Sequence, residues 1–227
     1  MILPQPGTLE LDWAHQYRIV PSIFPPVDFF EGLVDPDLME EAYAVECLTN
    51  DRLRDQAGDI TLVVPEDRVS GSGSTPIMAA FTHIGQESRF SDGSYGIYYA
   101  ARDMKTAIAE TAYHRARFLR ATNEEPGDID MRVYVGQVTK PMHDIRSGDY
   151  DDLHRANDWK PGQAFGAQMK AINSWGLVYR SVRDKGGECI AVLRPPAVTL
   201  PLQGAHLAYV WNGKDIVDVI EKRIFRP

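Results

Sequence analysis

An arginine, a tyrosine and a glutamate fall within one stretch of 22 residues. Arg89 stands in Arg89-Phe90-Ser91-Asp92-Gly93, Tyr99 in Gly96-Ile97-Tyr98-Tyr99-Ala100-Ala101, and Glu110 closes Thr106-Ala107-Ile108-Ala109-Glu110. A loop, a strand and a helix in that order can bring the three side chains into one cleft. Their types suit breaking the bond between a flat cationic base such as nicotinamide and a ribose. That bond opens through a sugar cation, as glycosidic bonds do. A carboxylate stabilises the developing positive charge, an arginine holds a diphosphate with its planar fork, and a tyrosine ring stacks on the base. No metal is needed.

Each of the three also fits a plainer role: Arg89 as a surface charge paired with Asp92, Tyr99 as a core aromatic, Glu110 on a solvated helix face. Met104, Ile108, Ala112, Arg115 and Leu119 mark the expected buried stripe of that helix. Glu110 lies roughly 140° from its centre at about 100° per residue. Helical periodicity alone therefore does not select Glu110.

The elements that must position these residues read as follows. Tyr17 to Val20 is a short strand stopped by Pro21 and Pro25-Pro26. Asp35-Pro36 starts a helix along which Leu38, Ala42, Val45 and Leu48 recur. Ile60 to Val64 is a β-rich run, Ser70 to Pro76 a flexible loop, and Met78 to His83 and Gly96 to Ala101 are strands. Lys105 to Leu119 is a helix, Asn123 to Asp130 an acidic connection, Met131 to Val138 a strand, and 146 to 162 a long polar loop. Gln163 to Trp175 is helical, with Gly176 where a helix would end. Leu177 to Val182 and Cys189 to Leu193 are strands around Asp184-Lys185-Gly186-Gly187. Trp211-Asn212-Gly213-Lys214 is a hairpin turn, although Ile216 to Ile220 fits a helix equally well. With strands outnumbering helices and no βαβ alternation, the pattern predicts an α+β fold around a central, mostly antiparallel sheet with flanking helices.

Composition narrows the class. The 227 residues suit one domain, with 1–16 as an irregular arm, 23–80 as an extended N-terminal insertion and 196–227 as a C-terminal extension. A hydrophobic fraction of 44%, a charged fraction of 25% and a net charge of −8 describe an ordinary acidic globular chain, which disfavours direct nucleic-acid binding. Two cysteines, Cys47 and Cys189, make neither a disulfide framework nor a thiolate metal site. The six histidines show no zinc-enzyme spacing. The Gly/Ser loop at 70–76 lacks the ending of a phosphate loop, and no Rossmann or nucleophile-elbow motif is present. No leader or bilayer-spanning stretch is seen, so the chain is expected in the cytoplasm, without a membrane partner.

The ordered series Tyr17-Arg18-Ile19-Val20-Pro21-Ser22, Arg89-Phe90-Ser91, Gly96 to Ala101, Thr106 to Thr111, Gly176 to Ser181 and Gly186 to Cys189 resembles the RES-domain family of bacterial toxin–antitoxin modules. The resemblance spans residues ~17 to 195, an extent set by these motif matches. It implies an ADP-ribosyltransferase-like fold with NAD⁺ as co-substrate and no metal, Arg89, Tyr99 and Glu110 as catalytic residues, Ser181 as the family serine, and Tyr17 and Arg18 lining the pocket. Tyr99 is preferred to its neighbour Tyr98 because it directly precedes Ala-Ala. His83 is a further candidate for substrate contact, with a structural histidine as the alternative. The resemblance also implies transfer of ADP-ribose to a host protein, a nucleotide-synthesis enzyme such as phosphoribosyl pyrophosphate synthetase being one family acceptor. The alternatives are NAD⁺ depletion with water or phosphate as acceptor, and a non-catalytic interaction module. The implied partner is an Xre-like helix-turn-helix antitoxin, which would contact DNA and block the cleft with a C-terminal segment.

Overall fold

The computed structural model describes residues 5–22, 58–223 and 225. The helix expected from Asp35-Pro36, and most of the 23–80 segment, lie outside the described residues.

Nine strands form one sheet among the described residues: β1 (Thr8–Leu9), β2 (Gln16–Pro21), β3 (Tyr98–Ala101), β4 (Gly127–Gly136), β5 (Met142–Asp144), β6 (Gly176–Arg180), β7 (Glu188–Val192), β8 (Leu202–Trp211) and β9 (Ile216–Lys222). Their order is β1-β5-β6-β7-β3-β2-β4-β8-β9, and only the β5–β6 pair is parallel. The three described α-helices are α1 (Thr75–Thr82), α2 (Met104–Thr122) and α3 (Lys160–Ala171). This is the expected α+β architecture.

Side chains alternate across the sheet, and each face has its own core. Ile19, Ala101, Leu177, Tyr179, Cys189 and Ala191 bury against Phe90 and against Ala107 of α2 and Phe165 and Met169 of α3. Tyr98, Ala100, Val178, Ile190 and Val192 face the other way, against Ile77, Met78 and Phe81 of α1 and against Trp13. β6 and β7 are therefore buried on both faces, which explains their unbroken apolar runs.

Several elements differ from the sequence expectation. Met78 to His83 is not a strand, because Pro76 sits in the first turn of α1 and Ile77, Met78 and Phe81 share its buried side. The loop at 70–76 accordingly ends at Ser74, and a helix does follow it. Ile60 to Val64 is not a strand either. Asp59 Oδ1 accepts from Thr61 N (2.9 Å) and Thr61 Oγ1 (2.6 Å), which turns Ile60–Leu62 into a 3-10 helix.

β4 begins four residues before the expected Met131, because Asp128 and Asp130 point outward while Ile129 packs inward. The loop of 146–162 holds a 3-10 segment, Gly148–His154, and the start of α3, where Pro161 occupies the first turn. α3 ends before Asn173, which takes the left-handed φ of 56°. Gly176 instead opens β6, where a Cβ would stand 3.0 Å from Val192 Cα. Ile216 to Ile220 is strand.

Candidate active site

Helix α2 carries Glu110. Asp103 caps it by accepting from Thr106 N (2.8 Å), and Asn123 closes it in the left-handed conformation. The fully buried positions are Thr106, Ala107, Ala116 and Leu119, while Met104, Ile108, Ala112 and Arg115 are half-buried. The buried stripe is thus rotated from the expected one. Ala107, one turn before Glu110, packs on the sheet, so the glutamate borders the core, with its side chain 16% exposed. Small residues, Thr106 and Ala107, form the stripe's most buried part, and they carry little weight in a hydrophobic pattern.

Glu110 Oε1 accepts from Ser181 Oγ (2.6 Å) and Val182 N (3.2 Å), both just past β6 and more than 70 residues away in sequence. The Ser181 hydroxyl itself accepts from Arg183 N (3.1 Å) and Asp184 N (2.9 Å), so its proton is directed at the carboxylate. Glu110 Oε2 lies 3.9 Å from His114 Nε2, one turn along α2.

Tyr99 and Tyr98 face opposite sides of the sheet. Tyr98 is fully buried beside α1, with its hydroxyl bonded to Gln16 (2.8 Å). Tyr99 faces α2. Its hydroxyl accepts from Phe90 N (3.1 Å) and pairs with Ser88 Oγ (2.9 Å), so it fixes the loop bearing Arg89. Burial pushes the Tyr99 hydroxyl pKa up to about 12, which keeps it a neutral hydrogen-bonding group.

Arg89 is buried, and its Nη1 donates to the carbonyls of Leu153 (3.1 Å) and Arg155 (2.9 Å). Its charge reaches Tyr99, Tyr179, His114 and His154. Glu110 acts on two of the same groups, Tyr179 and His114. The two charges therefore lie near the same groups, with no bond between them.

A cavity of about 100 Å³ opens there, lined by Tyr17, Ile19, Tyr99, Glu110, Tyr179 and Cys189 among others. Beyond Ser181 lies a wider, open depression of about 710 Å³ bordered by His154, Arg146, Arg180 and Lys185. Ser181 therefore stands between an aromatic cavity and a polar, solvent-facing one.

Tyr17, Tyr99, Glu110 and Ser181 converge, with Arg89 behind them. Arg18 borders the same cavity but turns its guanidinium away from it, and His83 does not join them. The Arg18 guanidinium lies 4.5 Å from the centre of the Tyr98 ring, on the opposite face, and Nη1 donates to the Tyr99 carbonyl (3.1 Å). His83 is exposed just past α1, with Nδ1 on the Ala79 carbonyl (3.0 Å).

The sequence reading passed over His114, His154 and Tyr179. The Glu110–His114 spacing of four residues was the available signal. His154 Nδ1 pairs with the Tyr150 carbonyl (2.9 Å), and Nε2 accepts from Arg180 N (3.2 Å), which assigns the neutral Nδ1–H tautomer. Burial lowers the pKa of His114, His143 and His154 alike. The unfolded chain binds protons first, from about pH 6.5 downward, so stability is full above that pH and declines below it. Thermal melts between pH 7.5 and 5.5 are expected to show a falling Tm, with a shallower fall in His154→Gln. A flat Tm across that range would refute the burial of neutral histidines.

Residues 65–212 match the RES domain. An uncharacterized protein of Sinorhizobium fredii, y4oC, is 33% identical over 201 residues, covering 88% of this chain and 84% of that protein. The crystal structure of the M. tuberculosis MbcT–MbcA toxin–antitoxin complex is similar at a TM-score of 0.43 and 11% identity. That alignment covers 88% of this chain and 85% of the other, a likeness too slight to argue from. Among the described residues, no helix is long and apolar enough to cross a membrane.

Proposed function

The chain belongs to the RES-domain family, and from that premise we propose that it is an NAD⁺-consuming toxin that splits nicotinamide from ribose and transfers ADP-ribose to a host protein. The observation that carries the reading is the Glu110 carboxylate, held by Ser181 at the mouth of a cavity walled by tyrosines.

Small-molecule sites generally enclose about 300–1,000 Å³, so the cavity of about 100 Å³ admits one flat ring and not a dinucleotide. The nicotinamide goes inside, against Tyr17, Tyr99 and Tyr179. The rest of the molecule extends past Ser181 into the open depression. NAD⁺ supplies a ribose on which positive charge develops as the base departs.

Glu110 meets that charge with a carboxylate whose Oε1 is already fixed by two donors, so little reorganisation is needed. In this reading Arg89 supplies the positive charge for the diphosphate, with Nη1 held by the Leu153 and Arg155 carbonyls. Tyr99 orients the Arg89 loop through its hydroxyl and offers its ring to the base.

The same first step serves NAD⁺ depletion, with water or phosphate as acceptor. Labelled NAD⁺ incubated with the purified chain and host lysate separates the two. Label on a discrete protein is the expected result. Label found only in free ADP-ribose or its phosphorylated form would replace transfer with depletion. An antitoxin that covers the cleft completes the proposal and should suppress the labelling.

A further inference from the structure

Glu110 rides on a helix, whereas the serine that holds it belongs to a turn some 70 residues later, so something must set the distance between them. Asp184 lies in that turn and is absent from the walls of both cavities. Its carboxylate reaches back to the first turn of α2, accepting from Thr106 Oγ1 (2.8 Å) and Lys105 Nζ (2.7 Å). Its backbone N–H donates to Ser181 Oγ (2.9 Å), and its carbonyl accepts from Gly187 N (3.0 Å). Gly187 in turn packs on Thr106, where a Cβ would stand 2.7 Å from Thr106 Cγ2. One residue thus joins the start of the glutamate's helix to the hydroxyl that holds the glutamate.

We propose that Asp184 is the positioning residue of the Glu110 carboxylate, acting through Ser181 and not on substrate. The proposal rests on the NAD⁺-cleaving reading of the site. The two partners of its carboxylate are unequal. The Lys105 side chain is 81% exposed, so that ion pair is screened and contributes little. Thr106 is fully buried, and its single hydroxyl proton has Asp184 Oδ2 at 2.8 Å and Asp103 Oδ2 at 3.0 Å, the shorter contact being the one to Asp184. An asparagine at 184 retains an oxygen acceptor for Thr106 and the backbone N–H for Ser181. An alanine loses the link to α2.

The test is a double-mutant cycle read by nicotinamide release from NAD⁺, with Tm measured alongside. Asp184→Ala is expected to lower kcat by about tenfold to a hundredfold, the scale of a misplaced catalytic group, with KM little changed. Asp184→Asn should restore kcat to near wild type, and Lys105→Ala should leave it there. In a Ser181→Ala background, Asp184→Ala should lower kcat no further, because its route of action is gone. If Asp184→Ala folds poorly, Thr106→Val tests the same link with the same non-additivity. Independent, multiplicative losses in the double variant, equal losses in the alanine and asparagine variants, or an unchanged kcat in folded Asp184→Ala would each overturn the proposal while leaving the function intact. A folded wild type that releases no nicotinamide would remove the function and the proposal together.

Discussion

Glu110→Gln is expected to lower kcat for nicotinamide release by roughly 10²–10³-fold, the usual effect of removing one preorganised charge stabiliser. The fold should survive. The amide oxygen can still accept from Ser181 Oγ and Val182 N, so the anchoring contacts persist. Only the negative charge disappears, and that charge matters most when the ribose becomes cationic. kcat and kcat/KM should therefore fall together, as they do when an interaction belongs to the transition state. Steady-state kinetics with a melting curve on the same preparation checks both halves. Near-wild-type kcat in a folded variant would remove Glu110 from the chemistry.

Gly166→Ala should lower stability by about 1–3 kcal/mol, typical of forcing an extra methyl into a packed interior. For a chain of this size that lowers Tm by several degrees. α3 uses Gly162 and Gly166, one turn apart, to admit the Arg89–Phe90 backbone against its surface. A Cβ at Gly166 would stand 2.9 Å from the Phe90 carbonyl carbon and 3.0 Å from Phe90 Cβ, and still closer to the carbonyl oxygen. That oxygen also accepts from the Tyr95 hydroxyl (2.5 Å), so it has little room to retreat. In an open helix the same change would stabilise by roughly 0.8–1.0 kcal/mol, and the steric term must therefore win by more than that. The displaced loop carries Arg89, so activity should fall as well. A variant that melts at or above wild type would contradict the close approach.

Much of this arrangement was legible in the residues. β2, β3, α2 and the β8–β9 hairpin turn follow from periodicity, capping and turn chemistry. Short apolar runs were not legible. Met78 to His83 alternates no more clearly than it spirals, and only Pro76 marks it as a helix start. Glu110 came from family resemblance, because Thr106 and Ala107 are too small to register as the centre of a buried stripe. Its bond to Ser181 joins distant segments and leaves no mark in local pattern.

Strand alternation puts Tyr98 and Tyr99 on opposite faces, the family position before Ala-Ala chose Tyr99, and the same alternation applied to Tyr17 and Arg18 sends them to opposite faces. The guanidinium over the Tyr98 ring is the consequence. His154 escaped notice because its neighbours are polar and Gly-rich, although the 3-10 turn there is held by Arg89.

The most direct measurement is the nicotinamide formed when the purified chain meets NAD⁺, followed by mass spectrometry beside Glu110→Gln. Nicotinamide is expected to accumulate with the wild type in step with NAD⁺ loss, and almost none with the variant. NAD⁺ left intact by a folded wild type, or consumed equally by both proteins, would contradict it.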